Sequence, residues 1–321
     1  MQQWQIQSDK TLKLVQAPLP EIGPEDVLVE VKALGVNRAD LLQVKGLYPA
    51  PAGFDSAVPG LEYAGVISQV GTRVQQRKVG ERVMGLVPSA AYSEFVAVHE
   101  GETLPMADSL SFAEAATIPE AFLTSYRALF LEGGLQPGQW CLIRPATAGV
   151  GLAAVQLANT LGARPIGSSR DLNKLDIAQS FGLHAQVQED TSLAKQVKEL
   201  TNGAGVAVIM DMLGPDWNAL LQALRVEGTL VLVGVMAGVQ TQLNLFSLLT
   251  ARQKIHPMTM RSQPLENRIR MAKLFSDRLA PLFAQGKLKP LPFKEFSFND
   301  VTAAHTDMAQ GHWSGKRVLV L

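Results

Sequence analysis

The stretch Cys141-Leu-Ile-Arg-Pro-Ala-Thr-Ala-Gly-Val-Gly-Leu-Ala-Ala-Val-Gln-Leu-Ala-Asn159 decides the fold of this chain. It opens with a short apolar run of the length of a buried strand and closes with apolar residues at helical spacing. Between them, Gly149, Gly151 and Ala154 match the G-x-G-x-x-G/A fingerprint of a dinucleotide-binding turn. We expect Gly149 to permit a tight turn, Gly151 to leave the backbone open to a pyrophosphate, and Ala154 to let the helix approach the strand. The helix N-terminus would then offer its N–H groups to phosphate.

The residues after the fingerprint continue the alternation of strands and helices. An isolated match to the fingerprint also occurs in units that bind no ligand, so this alternation favours the nucleotide-binding interpretation. Nearly continuous apolar runs such as 206–210 and 229–233 are typical of strands that are covered on both faces. Six strands separated by helices predict a doubly wound parallel sheet. The predicted strands are 140–146, 164–169, 184–188, 206–211, 228–234 and 255–261, and the predicted helices are 150–162, 171–181, 192–201, 216–224 and 245–253.

The residues before this region predict a domain of short strands. Candidate strands lie at 27–31, 60–70, 81–87 and 93–98, with glycine and proline between them, which suggests a partly closed barrel. A capping box at 111–114 begins a short helix.

The end of that helix marks the predicted domain boundary. Pro119 should end it and allow a second helix over 120–130, which Gly133-Gly134 closes. Near the C-terminus, a long amphipathic helix over 268–285 and two strands at 293–298 and 316–321 are too few for a domain of their own. We expect them to return to the first domain. The predicted domains are 1–118, 119–261 and 262–321.

Composition limits the classes of partner. The 321 residues carry 29 Lys plus Arg and 29 Asp plus Glu, so the chain is neutral and has no electrostatic case for nucleic acid or an anionic membrane as its main partner. No apolar run approaches the roughly 20 residues that cross a bilayer, and the N-terminus does not read as a signal peptide. The single cysteine excludes an internal disulfide. We therefore expect a cytoplasmic protein.

Several motifs together resemble one family, the medium-chain dehydrogenase/reductases, in their zinc-free quinone oxidoreductase branch. The resemblance covers essentially the whole chain and is greatest to the tumour-suppressor-inducible NADPH quinone oxidoreductases. It implies the α/β class, with a GroES-like, partly closed β-barrel catalytic domain, a Rossmann domain with a six-stranded parallel sheet, and a cleft between them. The motifs are Asn37-Arg-Ala-Asp40, Gly46-Leu-Tyr-Pro49, Pro59-Gly-Leu-Glu-Tyr-Ala-Gly65, Gly80-Glu-Arg-Val83, Pro119-Glu-Ala-Phe-Leu-Thr124, Leu245-Phe-Ser-Leu-Leu249 and Arg261-Ser262.

Zinc-dependent relatives differ from this chain at the metal ligands. They carry cysteine where this chain has Asn37 and histidine where it has Leu61. Neither asparagine nor leucine replaces a thiolate or an imidazole as a zinc ligand. The five histidines show no ligand spacing, and we predict no catalytic metal.

The end of the second Rossmann strand is where the two nicotinamide cofactors are distinguished. An acidic residue there would favour NADH, but this chain has Ser168, Ser169 and Arg170, with Lys174 one helical turn later. Hydroxyls and a guanidinium suit the 2′-phosphate of NADPH, which we predict as the cofactor. Two observations oppose this choice: Asp171 follows directly, and Glu189 stands where the family often has a tyrosine. The alternative for the basic pair is a solvated helix face.

The resemblance implies further contacts to NADPH. The residues that follow the fourth strand should border its adenosine, those after the fifth should lie near its nicotinamide, and Thr124 should touch the nicotinamide ribose or phosphate. Thr124 could also be a helix-interior residue bonded to its own backbone. The predicted contacts, besides those at 168–174, are Thr124, Ala148, Gly149, Val150, Gly151, Asp211, Leu213, Gly234 and Met236.

Without zinc, negative charge on the acceptor oxygen needs hydrogen-bond donors. Asn37 and Tyr48 match family positions that line the substrate site, so we predict them as the catalytic residues. Tyr48 could donate its phenol proton to the acceptor or could serve only as an aromatic wall. The predicted substrate is a quinone or a related enone.

Two other functions fit the same residues. The Gly46–Pro49 motif also resembles 2-enoyl-thioester reductases, which reduce a carbon–carbon double bond. The second is that of a nucleotide-binding protein with little catalysis. Relatives often form homodimers through the last Rossmann strand, and residues 255–261 are predicted to pair in this way.

Overall fold

In the computed structural model, which describes residues 1–321, the chain forms two compact units. The first unit comprises residues 1–120 and 260–321, and the second comprises residues 121–259. The second unit is therefore inserted into the sequence of the first.

The chain up to residue 120 supplies most of the first unit. A β-hairpin at the N-terminus precedes a larger sheet whose strands are connected mainly by turns. The predicted capping box is formed, because the Ser111 side chain accepts the Glu114 N–H at 3.1 Å and the Glu114 carboxylate accepts the Ser111 N–H at 2.8 Å. The elements are β1 (Gln2–Ile6), β2 (Leu12–Gln16), β3 (Asp26–Val36), α1 (Arg38–Val44), β4 (Glu62–Val70), β5 (Arg82–Leu86), β6 (Phe95–His99), β7 (Thr103–Pro105) and α2 (Phe112–Ala115).

The second unit is built on a parallel sheet with helices between its strands. Its strand cores are apolar and fully buried, as at Leu142, Ile166 and Ile209, because the sheet is covered on both faces. The elements are α3 (Pro119–Tyr126), β8 (Trp140–Arg144), α4 (Gly149–Thr160), β9 (Arg164–Ser169), α5 (Asp176–Gln179), β10 (Ala185–Gln188), α6 (Leu193–Leu200), β11 (Val206–Asp211), α7 (Trp217–Ala223), β12 (Leu224–Leu232), α8 (Leu245–Thr250) and β13 (Lys254–Pro257).

The order of strands in this sheet is β10-β9-β8-β11-β12-β13. The chain moves outward in one direction from β8 to β10 and in the other from β11 to β13, so the order reverses between β8 and β11. Ligands of open α/β sheets bind outside the carboxyl ends of the strands at such a reversal. The predicted α/β class and the six-stranded parallel sheet are confirmed.

The C-terminal segment completes the sheet of the first unit. Its last strand pairs antiparallel with β3, with Arg317 opposite Val36, and its other strand extends the sheet outward. The sheet order is β14-β15-β3-β4-β5-β7, with β6 also on β3. The elements are α9 (Leu265–Leu274), α10 (Ala280–Ala284), β14 (Phe293–Ser297), α11 (Val301–Gln310) and β15 (Lys316–Val320).

Several element boundaries differ from the prediction. The helix predicted over 268–285 is interrupted by a π-helical turn at Phe275–Leu279, and a second π-helical turn at Arg127–Glu132 follows α3. The strand predicted over 255–261 ends at Pro257, where its pairing with β12 stops. The N-terminal hairpin and α11 were not predicted, because neither stretch has a continuous apolar pattern of strand or helix period.

Candidate functional site

The fingerprint turn lies at the end of β8, where α4 begins. Ala148 is the N-cap of α4, and its backbone is extended with no side-chain cap. The N–H groups of the first helical turn are therefore left for an acceptor outside the helix. They face the carboxyl ends of the strands, at the reversal of strand order.

The two glycines of the fingerprint differ in whether the structure requires glycine at their positions. Gly149 is the first helical residue and is not among the glycines with positive φ, so the turn does not require glycine there. Gly151 is required by a close approach, since a Cβ at this position would lie 2.3 Å from the Pro145 carbonyl oxygen. Gly151 therefore lets the first turn of α4 lie against the residues that follow β8. Ala154 is fully buried.

Helix α3 is tied to this turn by a hydrogen bond that the sequence did not indicate. The Ser125 hydroxyl, on a fully buried residue, donates to the Val150 carbonyl at 2.8 Å. Thr124, the predicted contact, is the preceding residue and is 4% exposed. Ser125 therefore fixes the backbone of the first turn of α4 from the side.

A buried charged network joins the ends of the neighbouring strands. Arg144, at the end of β8, donates to Glu189 at 2.7 Å and to Asp211 at 3.1 Å, and both carboxylates are largely or fully buried. Asp211 also accepts the N–H groups of Leu213 at 2.9 Å and Gly214 at 3.2 Å. Burial raises the pKa of Asp211, and Arg144 opposes this rise. Asp211 therefore holds the loop after β11, with its carboxylate fully engaged.

The predicted 2′-phosphate residues divide into two groups. The Ser168 hydroxyl is fully buried and donates to Glu189 at 2.5 Å, while the Ser169 hydroxyl donates to the Asp171 carbonyl at 2.7 Å. Both hydroxyls are thus used within the protein. Arg170 is exposed and Lys174 is partly exposed, so the cationic members are the ones that reach the surface.

The loops after β11 and β12 are bonded to each other. The Met236 N–H donates to the Met212 carbonyl at 3.1 Å, and the Ala237 N–H donates to the Leu213 carbonyl at 2.9 Å. Gly234 likewise donates to the Asp211 carbonyl at 3.3 Å. The structure therefore brings Leu213, Gly234 and Met236 together at the carboxyl ends of adjacent strands. Met236 is 43% exposed.

In the first unit, Asn37 belongs to a buried cluster with Glu62 and Lys316. Its amide group donates to Glu62 at 2.9 Å and to the Gly35 carbonyl at 3.3 Å, and its oxygen accepts from Lys316 at 2.6 Å. The Lys316 ammonium also donates to Glu62. The exposed fractions of Asn37, Glu62 and Lys316 are 6%, 0% and 3%. The Asn37 side chain therefore uses both amide N–H groups and its oxygen within the protein.

A second buried chain of polar groups adjoins this cluster. Asp40 accepts the Asn37 N–H at 2.7 Å and the Tyr92 phenol at 3.1 Å, and the Tyr92 oxygen lies 2.9 Å from His305 Nε2. The other Asp40 oxygen has no hydrogen-bond partner. Burial raises the pKa of Asp40 to about 7 and lowers the pKa of His305 to about 4. At pH values below about 7, Asp40 is therefore mostly protonated and neutral, and His305 is neutral above about pH 4.

Tyr48 is partly exposed and lies in the loop after α1. Its carbonyl accepts from Arg261 at 2.7 Å, and the Arg261 guanidinium lies 5.1 Å from the centre of its ring. Burial raises the pKa of Tyr48, and the positive charge of Arg261 opposes this rise. The structure thus adds Arg261 to the predicted residues, which the sequence had marked only as part of a family motif.

Two general features of the structure bear on function. No group of three or more His, Cys, Asp or Glu side chains is arranged to hold a metal ion. No helix has both the length and the apolar composition needed to span a bilayer.

Comparison with known proteins decides the family. The alcohol dehydrogenase GroES-like domain matches residues 23–126, and the zinc-binding dehydrogenase domain matches residues 149–276. A quinone oxidoreductase of Pseudomonas aeruginosa is 31% identical, over 94% of this chain and 92% of its own length. This chain belongs to the medium-chain dehydrogenase/reductases, in their quinone oxidoreductase branch.

Solved structures of similar proteins extend this assignment. The quinone oxidoreductase of Pseudomonas syringae pv. tomato DC3000 matches with a TM-score of 0.89 and 30% identity, covering 100% of this chain and 99% of that one. The CurK enoyl reductase matches with a TM-score of 0.87 and 29% identity over 99% and 98% of the two chains.

The chain also spans 15% of the length of a highly-reducing polyketide synthase of Aureobasidium melanogenum, to which it is 30% identical.

Proposed function

We propose that this oxidoreductase transfers a hydride from NADPH to quinones or related activated alkenes without a catalytic zinc ion. The nucleotide part rests on the N-terminus of α4, whose first turn has no side-chain cap and lies at the reversal of strand order. These N–H groups and the helix dipole suit a pyrophosphate. Bound NADPH would supply the hydride, and the protein would supply binding, orientation and charge stabilisation.

The preference for NADPH rests on charge at the end of β9. Arg170 and Lys174 reach the surface there and suit a 2′-phosphate. Glu189 is the group that would repel a phosphate, but its carboxylate accepts from Arg144 at 2.7 Å and from Ser168 at 2.5 Å. Because Arg144 compensates its charge, Glu189 is compatible with a phosphate nearby. NADPH remains the proposed cofactor on this argument.

Independence from zinc rests on the Lys316 ammonium. It occupies hydrogen-bonding positions on both Asn37 and Glu62, so a zinc ion at these residues would meet a buried cation and would find no thiolate or imidazole. The ion pair with Glu62 satisfies the carboxylate without a metal. Dialysis against a chelator is therefore expected to leave quinone turnover unchanged within twofold, while added zinc does not increase it.

The deciding experiment compares acceptors and cofactors in one set of assays. Steady-state reduction of 1,2-naphthoquinone, an enone and a 2-enoyl-CoA is measured with NADPH and with NADH. We expect the quinone with NADPH to give the highest kcat/KM. The CurK enoyl reductase similarity and the Gly46–Pro49 motif favour an enoyl-thioester as the second candidate, and a higher kcat/KM for 2-enoyl-CoA would establish it. Tight NADPH binding without turnover of any acceptor would identify a nucleotide-binding protein and contradict the proposal.

A homodimer through the edge of the second unit is also proposed. The edge strand β13 pairs only with β12, and its outer side carries unpaired backbone groups. Helix α8 has no buried residue, and Leu245, Phe246 and Leu249 are 68%, 74% and 73% exposed. An exposed apolar helix directly before an open edge strand in the sequence suits a second copy of the chain, which would cover both.

A further inference from the structure

Arg261 is a buried guanidinium without a carboxylate partner. It is 5% exposed and makes three hydrogen bonds, to the Pro88 carbonyl at 2.6 Å, to the Tyr48 carbonyl at 2.7 Å and to the side-chain oxygen of Gln43. All three acceptors are neutral. Asp40 acts on Arg261 electrostatically and raises its pKa, but no hydrogen bond or ion pair joins the two side chains. Because the atoms that contact the guanidinium are neutral, its charge keeps most of its field at Tyr48.

Arg268 shows the contrasting arrangement in the same unit. Its guanidinium lies 5.2 Å from the centre of the Phe54 ring, which is nearly the distance of Arg261 from the Tyr48 ring. However, Arg268 is paired with the Glu102 carboxylate at 2.5 Å. Its charge is therefore compensated where it stacks, and its aromatic partner has no ionisable proton.

The contacts of Arg261 converge on Tyr48. One arm of the guanidinium fixes the backbone of this residue, the other holds Gln43 in the preceding helix, and the guanidinium carbon lies over the ring. Fork geometry and stacking together restrict the orientation of the phenol far more than a single contact would. The other charged group that acts on Tyr48 is Glu120, whose negative charge raises the pKa of the phenol, while Arg261 lowers it.

We propose that Arg261 is a positioning residue, which orients Tyr48 and uses its charge, which no ion pair neutralises, to make the phenol a stronger donor to the acceptor oxygen. This inference rests on the proposed function. After hydride transfer the acceptor carries an electron pair on its oxygen. The Tyr48 O–H bond then breaks, its proton passes to that oxygen, and the phenolate regains a proton from water. A positive charge over the ring stabilises the phenolate in between.

The tyrosine content makes this proposal measurable without turnover. Of the four tyrosines, Tyr63, Tyr92 and Tyr126 are 0%, 0% and 4% exposed, and Tyr48 alone is partly exposed. In a phenolate absorbance titration, the phase that disappears in Tyr48→Phe is assigned to Tyr48. Arg261→Met, Arg261→Lys and the matched control Arg268→Met are then titrated in the same way.

We expect Arg261→Met to move this phase to higher pH, Arg261→Lys to place it between Met and wild type, and Arg268→Met to leave it unchanged. At saturating NADPH, kcat for the quinone should fall about tenfold in Arg261→Met and recover in part in Arg261→Lys, because lysine keeps the charge but lacks the planar fork. The dissociation constant of NADPH should not change in either variant.

The inference is overturned if the Tyr48 phase stays at the wild-type pH in both Arg261 variants. Should Arg261→Met fail to fold, Arg261→Lys decides alone, since a wild-type titration with a wild-type kcat would show that the fork over the ring has no effect. A shifted titration in a protein that reduces no acceptor would support the Arg261–Tyr48 interaction and contradict the proposed function instead.

Discussion

Lys316 and Asn37 are joined by a hydrogen bond of 2.6 Å across 279 positions of the sequence. The same ammonium pairs with Glu62, and all three side chains are buried. Removing one partner of a buried ion pair leaves the other charge uncompensated, which costs about 3–5 kcal/mol.

Lys316→Met is therefore expected to lower the free energy of unfolding in urea by about 3 kcal/mol. The double variant Lys316→Met/Glu62→Gln should recover much of this loss, because it removes both charges of the buried pair. Lys294→Met is the matched control, since Lys294 pairs with Asp307 but is 41% exposed, and its removal should cost less than about 1 kcal/mol. A loss in Lys316→Met no larger than in this control would show that the buried pair does not contribute as described.

Tyr48→Phe removes the phenol and keeps the ring. If the phenol donates its proton as proposed, kcat for quinone reduction should fall by more than tenfold, which corresponds to about 1.4 kcal/mol in the barrier. Kinetics at saturating NADPH measure this loss, and the KM for the quinone should change little, because the ring still stacks. A loss of less than tenfold would identify Tyr48 as an aromatic wall.

Arg170→Ala/Lys174→Ala tests the choice of cofactor. The two cations would contact only the 2′-phosphate, so the Kd of NADPH should rise at least about tenfold while the Kd of NADH stays constant. Fluorescence titration of both nucleotides gives the two constants. Lys195→Ala, at a residue whose side chain is 79% exposed on α6, is the control for loss of surface charge. Equal weakening of both nucleotides would place these cations elsewhere than at the 2′-phosphate.

The stability of the first unit should depend on pH through Asp40. Burial raises the pKa of Asp40 from 3.8 to about 7, while Lys316 and the hydrogen bonds from Asn37 and Tyr92 lower it and Glu62 raises it further. The folded chain therefore holds this proton more tightly than the unfolded chain. Its contribution to stability is complete below about pH 4 and is lost as the pH rises to about 7.

His305 changes the stability with pH in the opposite direction to Asp40. Burial lowers its pKa from 6.5 to about 4, so its contribution is complete above about pH 6.5 and is lost as the pH falls toward 4. Relative to wild type, Asp40→Asn should become more stable between about pH 4 and 7, and His305→Gln should become less stable as pH rises above about 4. Urea unfolding at several pH values measures both differences. A flat difference curve for Asp40→Asn would show that this carboxyl titrates at its ordinary pKa.

Phe246→Glu tests the proposed dimer. A carboxylate in place of this 74% exposed ring would be buried at the interface without a partner, so the variant should be monomeric at concentrations where wild type is dimeric. Light scattering after gel filtration gives the mass. Leu19→Glu, at a 47% exposed leucine of the first unit, is the control and should remain a dimer. A wild-type monomer, or a dimeric Phe246→Glu, would rule out this surface.

The sequence predicted the features that depend on local pattern. Six short apolar runs, separated by segments with apolar residues at helical spacing, predicted the parallel sheet. Ser111 and Glu114 predicted the start of a helix. It did not predict which glycine is sterically required, because the contact of Gly151 with the Pro145 carbonyl depends on how α4 lies against β8. Arg144 follows an apolar run, and its partners Glu189 and Asp211 lie at the ends of two other strands, so their pairing depends on the order of strands in the sheet. The sequence likewise did not indicate Lys316 as a partner of Asn37, since only the pairing of β15 with β3 brings the two residues together.

That pairing also constrains the order in which the protein can fold during translation. The ribosome synthesises β3 early, but β15 emerges only after every residue of the second unit has been made. Until then, residues 33–36 of β3 lack the partner that β15 supplies, and Glu62 lacks its cation. The second unit is one continuous segment of the sequence, so it can fold completely before the last strand of the first unit has been synthesised.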